Sequence, residues 1–320
     1  MRFEVSIDDI DVGKRLDLYL SIKIPYLTRK YIKSIIESNR VRVNEHICYK
    51  AGYKVCPGDV IEFPDIKPVT KKIEHNNKFD LDIIYENDDF LVINKPVGVS
   101  VHPTSNVQND TIVNRLVTLY RDLPGDMLRP GIVHRLDKAT SGLLIVAKNP
   151  KSLWWLTRQF AERKIKKKYL SIGISKVRIY DKNQVIEHSS YIYRHPADRK
   201  LFVSSKDAKS QGKYAKSIFT LLDFRILNGY YLYLFDVQIL TGRTHQIRVH
   251  QKDLNVPVLG DDVYMFRKLK DEIRSFDILT PGRLCLHAYL IEFINYDGNF
   301  YNFRAPIPDV FLRYFDNICV

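Results

Sequence analysis

The residues best placed to do chemistry lie in one stretch, 131–148, which reads Gly-Ile-Val-His-Arg-Leu-Asp-Lys-Ala-Thr-Ser-Gly-Leu-Leu-Ile-Val-Ala-Lys. A short apolar run ends in a polar turn carrying His134, Arg135 and Asp137, and a second apolar run, residues 143–147, leads away. A carboxylate in a loop, beside a cation and braced by two buried strands, can be held for nucleophilic or proton-transfer work. Read alone, the stretch is equally a surface turn, since Asp, Lys, Thr, Ser and Gly all favour turns. Other chemistries are poorly served. Ser141 has no Gly-x-Ser-x-Gly frame. His245 and His250 fall on different helix faces, or on opposite sides of a strand, which suits neither a metal nor a histidine-based nuclease. No phosphate-binding loop or dinucleotide fingerprint occurs. Cys48, Cys56, Cys285 and Cys319 match neither a zinc site nor a disulfide framework, so reduced thiols are expected.

The elements that must position this turn are mostly strands. Apolar runs at 83–85 and 90–94 flank a polar turn, and further strands are expected at 168–174, 215–223 and 230–240. Asn149-Pro150 opens a helix, Asn as the N-cap and Pro in the first turn, running to about Arg163. Trp154 and Trp155 on it are expected in the core and at the half-buried surface. Strands outnumber helices without alternating with them, which predicts an α+β domain with a mixed, largely antiparallel sheet. Residues 12–63 carry their own pattern. A short helix opens at 13–20, and a second at 28–36 places Tyr31, Ile32, Ile35 and Ile36 on one face with Arg29, Lys30 and Lys33 towards solvent. A strand at 40–44 and a turn into another strand at 57–63 follow. Residues 66–78 are polar and aperiodic and read as a linker. The expected organisation is therefore 1–65, a small α/β domain; 66–78, a linker; and 79–320, the larger domain.

The turn resembles the signature H-R-L-D-x-x-T-S-G of the RluA family of pseudouridine synthases. Further segments match in order: residues 94–103 (N-K-P-x-G-x-x-V-H-P), Lys167-Lys168-Tyr169 (K-x-Y), 194–199 (R-H-P-x-x-R), 241–250 (T-G-R-T-H-Q-I-R-V-H), 283–288 and 303–306. Residues 12–63 resemble an S4 RNA-binding domain through R-L-D, S/T-R, V-x-V-N and P-G-D-x-I. The resemblance covers nearly the whole chain and is nearest to the large-ribosomal-RNA branch that carries an S4 domain. Gln251, where an apolar residue is usual, Asn255, where glycine is common, and an apparent insertion at 266–280 depart from it.

The resemblance implies an isomerase that turns uridines of RNA into pseudouridine on an extruded base, without a cofactor or metal. It makes Asp137 the catalytic aspartate, acting on sugar, base or a ribose proton. It places Tyr169 against the target base, although alone this is a core tyrosine. It assigns Arg248 to hold the carboxylate; burial alone would make a carboxyl harder to ionise, and a guanidinium offsets this. Spacing places Arg248 one turn into a helix, on the face of His245. Arg135, His134, Thr140, Lys95, Arg243 and His245 are expected at the substrate. In the S4 part, Arg29, Lys30, Lys33, Arg40 and Arg42 are expected to contact phosphates.

Composition agrees with that partner. Lys and Arg outnumber Asp and Glu by 50 to 37, for a formal charge of +13 and a pI near 9.4. Such a balance favours a polyanion, nucleic acid before membrane. No apolar run reaches the roughly 18 residues that would span a bilayer, and the first residues are too acidic for a signal peptide. The expected setting is a cytoplasmic monomer acting on structured RNA, large-subunit ribosomal RNA or its assembly intermediates. Transfer RNA as substrate, or an inactive RNA-binding assembly factor, are the alternatives.

Overall fold

Isoleucines 32, 35 and 36 recur at helical spacing, and in the computed structural model they are buried on one face of a short helix. The structure describes all residues except 25, 26, 28, 65–77, 104–108, 127, 209–211, 277–280 and 319; the side chain of Lys30, most of the expected linker, Cys319 and part of the 266–280 segment therefore lie outside the described residues. The chain divides into two units, residues 1–72 with 126–128, and 73–125 with 129–320.

The first unit runs β1 (Arg2–Glu4), α1 (Leu16–Lys23), α2 (Arg29–Glu37), β2 (Arg42–Val43), β3 (His46–Ile47) and β4 (Val60–Glu62). Its strands pair antiparallel in the order β1-β4-β2-β3. The core joins Leu16 and Leu20 of α1 to Ile32 and Ile36 of α2 and to Ile61. Tyr31, expected on the buried face, is exposed: it stands one residue ahead of the Ile32–Ile36 stripe and so turns outward. Arg29, Lys33, Arg40 and Arg42 are also exposed. Asp17 is buried and receives Arg15 Nε and Arg29 Nε, each at 3.0 Å, which ties the two arginines to one point.

The second unit continues with β5 (Ile83–Glu86), β6 (Phe90–Lys95), α3 (Ile112–Leu119), β7 (Ser141–Ala147), α4 (Pro150–Glu162), β8 (Lys166–Ser175), β9 (Val185–Arg194) and β10 (Phe202–Ser205). It ends with β11 (Lys213–Leu227), β12 (Tyr230–Ile239), α5 (Gln246–Asp253), α6 (Arg267–Ile273), β13 (Leu286–Ile294), β14 (Phe300–Arg304) and α7 (Asp309–Leu312). Among the described residues its ten strands form one sheet, β10-β9-β11-β12-β8-β13-β7-β6-β5, with β14 paired to β13. Pairing is antiparallel except between β13 and β7.

Strand β7 is buried along its whole length. Leu143, Ile145 and Ala147 face Leu156 of α4, while Leu144 and Val146 face Ile112 and Leu116 of α3. A strand covered on both faces needs a continuous apolar run rather than alternation. Each such side chain contributes roughly 1.5–3 kcal/mol, so β7 anchors the turn before it firmly. Among the described residues, the apolar run on the other side of that turn does not form the expected second strand but makes a single bridge, Ile132 to Val146. Helix α4 starts as expected, with Asn149 and Ser152 in a reciprocal cap. Trp154, expected in or near the core, is exposed, and Trp155 gives its indole N–H to the Ile294 carbonyl at 2.9 Å.

Candidate active site

The turn before β7 alternates inward and outward. His134 lies against Phe160 (centroids 4.5 Å apart, 22° between planes), and its Nε2 accepts the Ile145 amide at 2.9 Å. Burial, helped by Lys167, pushes its pKa down to about 3, so the ring is neutral. Leu136 is buried in the core that holds Tyr169 and Ile247. Between these two anchors Arg135 is exposed, and after them Asp137 keeps a side-chain exposure of 20 %. The Thr140 amide donates to the Asp137 carbonyl at 3.1 Å and closes the turn.

The following residues fix that turn to the sheet. Gly142 has φ +114°, and a Cβ there would come within 2.2 Å of the Ala288 carbonyl oxygen, so only glycine permits the parallel contact of β7 with β13. The Arg283 guanidinium donates to Ser141 Oγ, which lies 2.9 Å from His287 Nδ1. Lys95 is fully buried, and its ammonium donates to the carbonyls of Pro96 (2.8 Å), Val99 (2.9 Å) and Lys138 (3.4 Å). Burial pushes its pKa down to about 7, against the pull of the Asp137 carboxylate. With three N–H groups on three carbonyls, Lys95 braces the turn from behind. Lys95 and His134 were expected at the substrate; both turn inward because their polar atoms satisfy backbone groups that burial would otherwise strand.

A small cavity of about 110 Å³ opens over Asp137, lined also by Arg135, Thr140, Tyr169, Arg243, His245 and Arg248. Ligand pockets commonly enclose some 300–1,000 Å³, so this one suits a single flat ring with the remainder of its molecule outside. Tyr169, on β8 between Val237 of β12 and Ala288 of β13, forms one wall. Burial, with the nearby Asp137 carboxylate, pushes its pKa well above the usual phenol value, so the hydroxyl keeps its proton.

Two cations or dipoles from the start of α5 approach the same oxygen. Arg248 Nη1 lies 3.9 Å and His245 Nε2 3.8 Å from Asp137 Oδ2. Arg248 was expected to hold Asp137, but its tight partner is Asp261, which no reading of the sequence singled out. Nε and Nη2 of Arg248 donate to the two Asp261 oxygens at 2.7 and 2.8 Å, and the Asp261 side chain has no exposed surface. Burial opposes the charge of Arg248; the hydrogen bond and charge of Asp261 more than offset it and raise its pKa. Asp261 Oδ1 also accepts the amides of Val263 and Tyr264, each at 2.9 Å. Tyr264 Oη accepts the Phe202 amide at 2.9 Å and lies 2.8 Å from His245 Nδ1. If the phenol donates to Nδ1, the imidazole proton sits on Nε2, towards Asp137. Burial lowers the pKa of His245, which favours that neutral ring. His245 takes a left-handed backbone, φ 57°, at the N-cap of α5. The signal for this second layer was the run Gly260-Asp261-x-x-Tyr264, whose acid and phenol enclose a tight turn.

Arg243 lines the cavity and gives Nε to the Tyr214 carbonyl at 3.0 Å. His250 points away from His245, between Ser190 and Ser217. Asn255 adopts φ 61°, the conformation for which glycine is common there. Among the described residues no cluster of His, Cys, Asp and Glu is fit for a metal ion, and no helix is long and apolar enough to cross a membrane.

Comparison with known proteins places these features in a lineage. The pattern of the RNA pseudouridylate synthase family matches residues 89–253, and that of the S4 domain residues 14–61. An uncharacterised RNA pseudouridine synthase of Aquifex aeolicus is 38 % identical over 305 residues, 93 % of this chain and 92 % of that protein. The ribosomal large subunit pseudouridine synthase D of Borreliella burgdorferi is 35 % identical over 95 % of this chain and 89 % of its own. The solved structure of human RNA pseudouridylate synthase domain containing 1 covers 71 % of this chain and 83 % of its own, with a TM-score of 0.55 and 27 % identity. Turn, sheet and N-terminal unit thus descend together, and the chain belongs to the RluA family of RNA pseudouridine synthases, isomerases preceded by an S4 domain.

Proposed function

We propose that this enzyme isomerises uridines of large-subunit ribosomal RNA, and that Asp137 is its catalytic carboxylate. The observation that carries the assignment is the position of Asp137: a half-buried carboxylate on the floor of a ring-sized cavity, with one oxygen near two donors but hydrogen-bonded to neither. The N1–C1′ bond of the uridine breaks, the base turns, and a C5–C1′ bond forms; C5 gives up a proton and N1 carries one in the product. Tyr169 packs against the base with its protonated hydroxyl towards C5. Arg248 offsets the charge of the Asp137 carboxylate, His245 turns Nε2 towards it, and Arg135 and Arg243 meet the RNA at the mouth. Extruding the base costs a few kcal/mol, least where it is already unpaired, and phosphate contacts from both units offset that cost.

The substrate class is supported by the S4 unit, by the excess of cations, and by relatives named for the large ribosomal subunit. Transcribed 23S ribosomal RNA, incubated with the protein and mapped for pseudouridine, is the test. Conversion at one or a few defined uridines is expected. Conversion confined to transfer RNA offered in the same assay would contradict the substrate reading and leave the Asp137 assignment standing.

A further inference from the structure

A second cavity, of about 450 Å³, opens beside the Asp137 pocket and shares Arg135, Tyr169 and Arg243 with it. Arg163, Lys167 and Phe160 complete the part that matters here. Four of its lining side chains are cationic and none is a carboxylate. The arrangement is built into the passage from α4 to β8. Arg163 ends α4 in a left-handed conformation (φ 59°, ψ 32°), which turns the chain sharply into the strand.

Three consecutive lysines then begin β8, and they differ. Lys166 pairs with Glu292 at 2.8 Å and Lys168 with Asp236 at 2.5 Å. Strand alternation puts Lys167 on the opposite face, half-buried against the Phe160 ring at 5.3 Å and without a carboxylate partner among the described residues. Burial pushes its pKa down to about 8. Arg243 is likewise disfavoured by burial and by the charge of Arg163. Crowding four cations, two of them (Lys167 and Arg243) half-buried, costs free energy unless an anion joins them. Among the described residues, no lining side chain supplies one.

We propose that this cavity is a phosphodiester subsite, which takes the RNA backbone next to the uridine in the Asp137 pocket and contacts it through Lys167, Arg163 and Arg243. The inference rests on the reading that the Asp137 pocket takes the uridine. Lys167 therefore positions the strand and sets how deeply the target enters, while the chemistry belongs to the adjoining pocket.

The test uses the full chain and transcribed 23S ribosomal RNA, with affinity measured across a salt series. Lys167→Met should weaken binding and reduce the log–log salt slope by about 0.7–0.9, one phosphate contact. Lys167→Arg, which keeps the charge, should restore both. If Lys167→Met does not fold, Arg163→Gln at the exposed helix end reads the same slope. An unchanged slope in a folded variant, or equal loss in Lys167→Met and Lys167→Arg, would overturn the subsite. Asp137→Asn should keep the wild-type slope while losing isomerisation, so failure of the uridine pocket and failure of the subsite are read separately.

Discussion

Asp17 in the first unit has 4 % of its side chain exposed and takes two arginine Nε atoms at 3.0 Å each; Asp137 in the second keeps 20 % and stands 3.8–3.9 Å from its two partners. Both sit beside arginines, yet the first has its oxygens committed to hydrogen bonds and the second does not. A hydrogen bond to a charged group is worth about 1.5–3 kcal/mol, so a tightly paired carboxylate resists any new role. At Asp137 the pairing is displaced onto Asp261, which holds Arg248 bidentately and leaves Asp137 with charge compensation and free lone pairs. Asp17 is satisfied by its own arginines, whereas Asp137, the proposed catalytic acid, stands beside an arginine that Asp261 satisfies.

The largest effect should come from removing the charge of each aspartate in turn. Asp137→Asn is expected to abolish pseudouridine formation and leave thermal stability and RNA affinity unchanged. Asp17→Asn should do the reverse, lowering stability while the single-turnover rate at saturating RNA stays at the wild-type value. Comparable rate losses in both would erase the distinction.

Next comes that arginine. Arg248→Met leaves Asp261 buried without its cation, held only by the Val263 and Tyr264 amides, and removing one member of such a pair typically costs about 3–5 kcal/mol. Activity should fall severely and the urea midpoint should drop as well. Asp261→Asn should lower kcat more than it raises KM, since it loosens Arg248 and the Tyr264–His245 contact without touching substrate. An unchanged kcat would remove Asp261 from the positioning of the site.

A smaller effect separates the units by pH. His134 and His250 are held at a pKa of about 3, and His102 and His287 at about 4, each by burial first. Unfolded, they titrate near 6.5. Below that pH the unfolded chain binds protons that the native state refuses, so stability falls as pH falls from about 6.5 towards 4, by at most about 1.4 kcal/mol per pH unit for each ring. Tryptophan fluorescence reports the second unit, because both tryptophans, Trp154 and Trp155, lie there. Its urea midpoint should drop between pH 7 and 5, and His134→Gln should flatten the drop. A flat profile would mean these rings are charged in the folded protein.

The smallest expected effect is at the exposed cations of the first unit. Arg29→Gln should reduce the salt slope of RNA binding by about 0.7–0.9 with no change in the rate at saturation. A changed rate with an unchanged slope would make this arginine part of target positioning.

Much of this was legible in the chain. The Asp137 turn, strand β7, the Asn149 cap and the largely antiparallel sheet follow from local pattern, because apolar periodicity and capping chemistry act over a few residues. What escaped depends on facing. Lys95 and His134 share a motif with Asp137, but a motif does not say which polar atoms a backbone carbonyl or amide will claim. Strands β9 and β10 are half-exposed and carry weak alternation, and the run before the turn makes one bridge rather than a strand. Asp261 escaped because it meets Arg248 across thirteen residues, a pairing that no local periodicity fixes.

The central claim, that the loosely held Asp137 performs the isomerisation, is tested most directly in cells. Pseudouridines in 23S ribosomal RNA would be mapped in cells lacking this protein, and again after return of the wild-type chain or of Asp137→Asn at equal abundance. The account predicts that defined pseudouridines vanish in the deletion, return with the wild type and stay absent with Asp137→Asn. Their return with Asp137→Asn would contradict it.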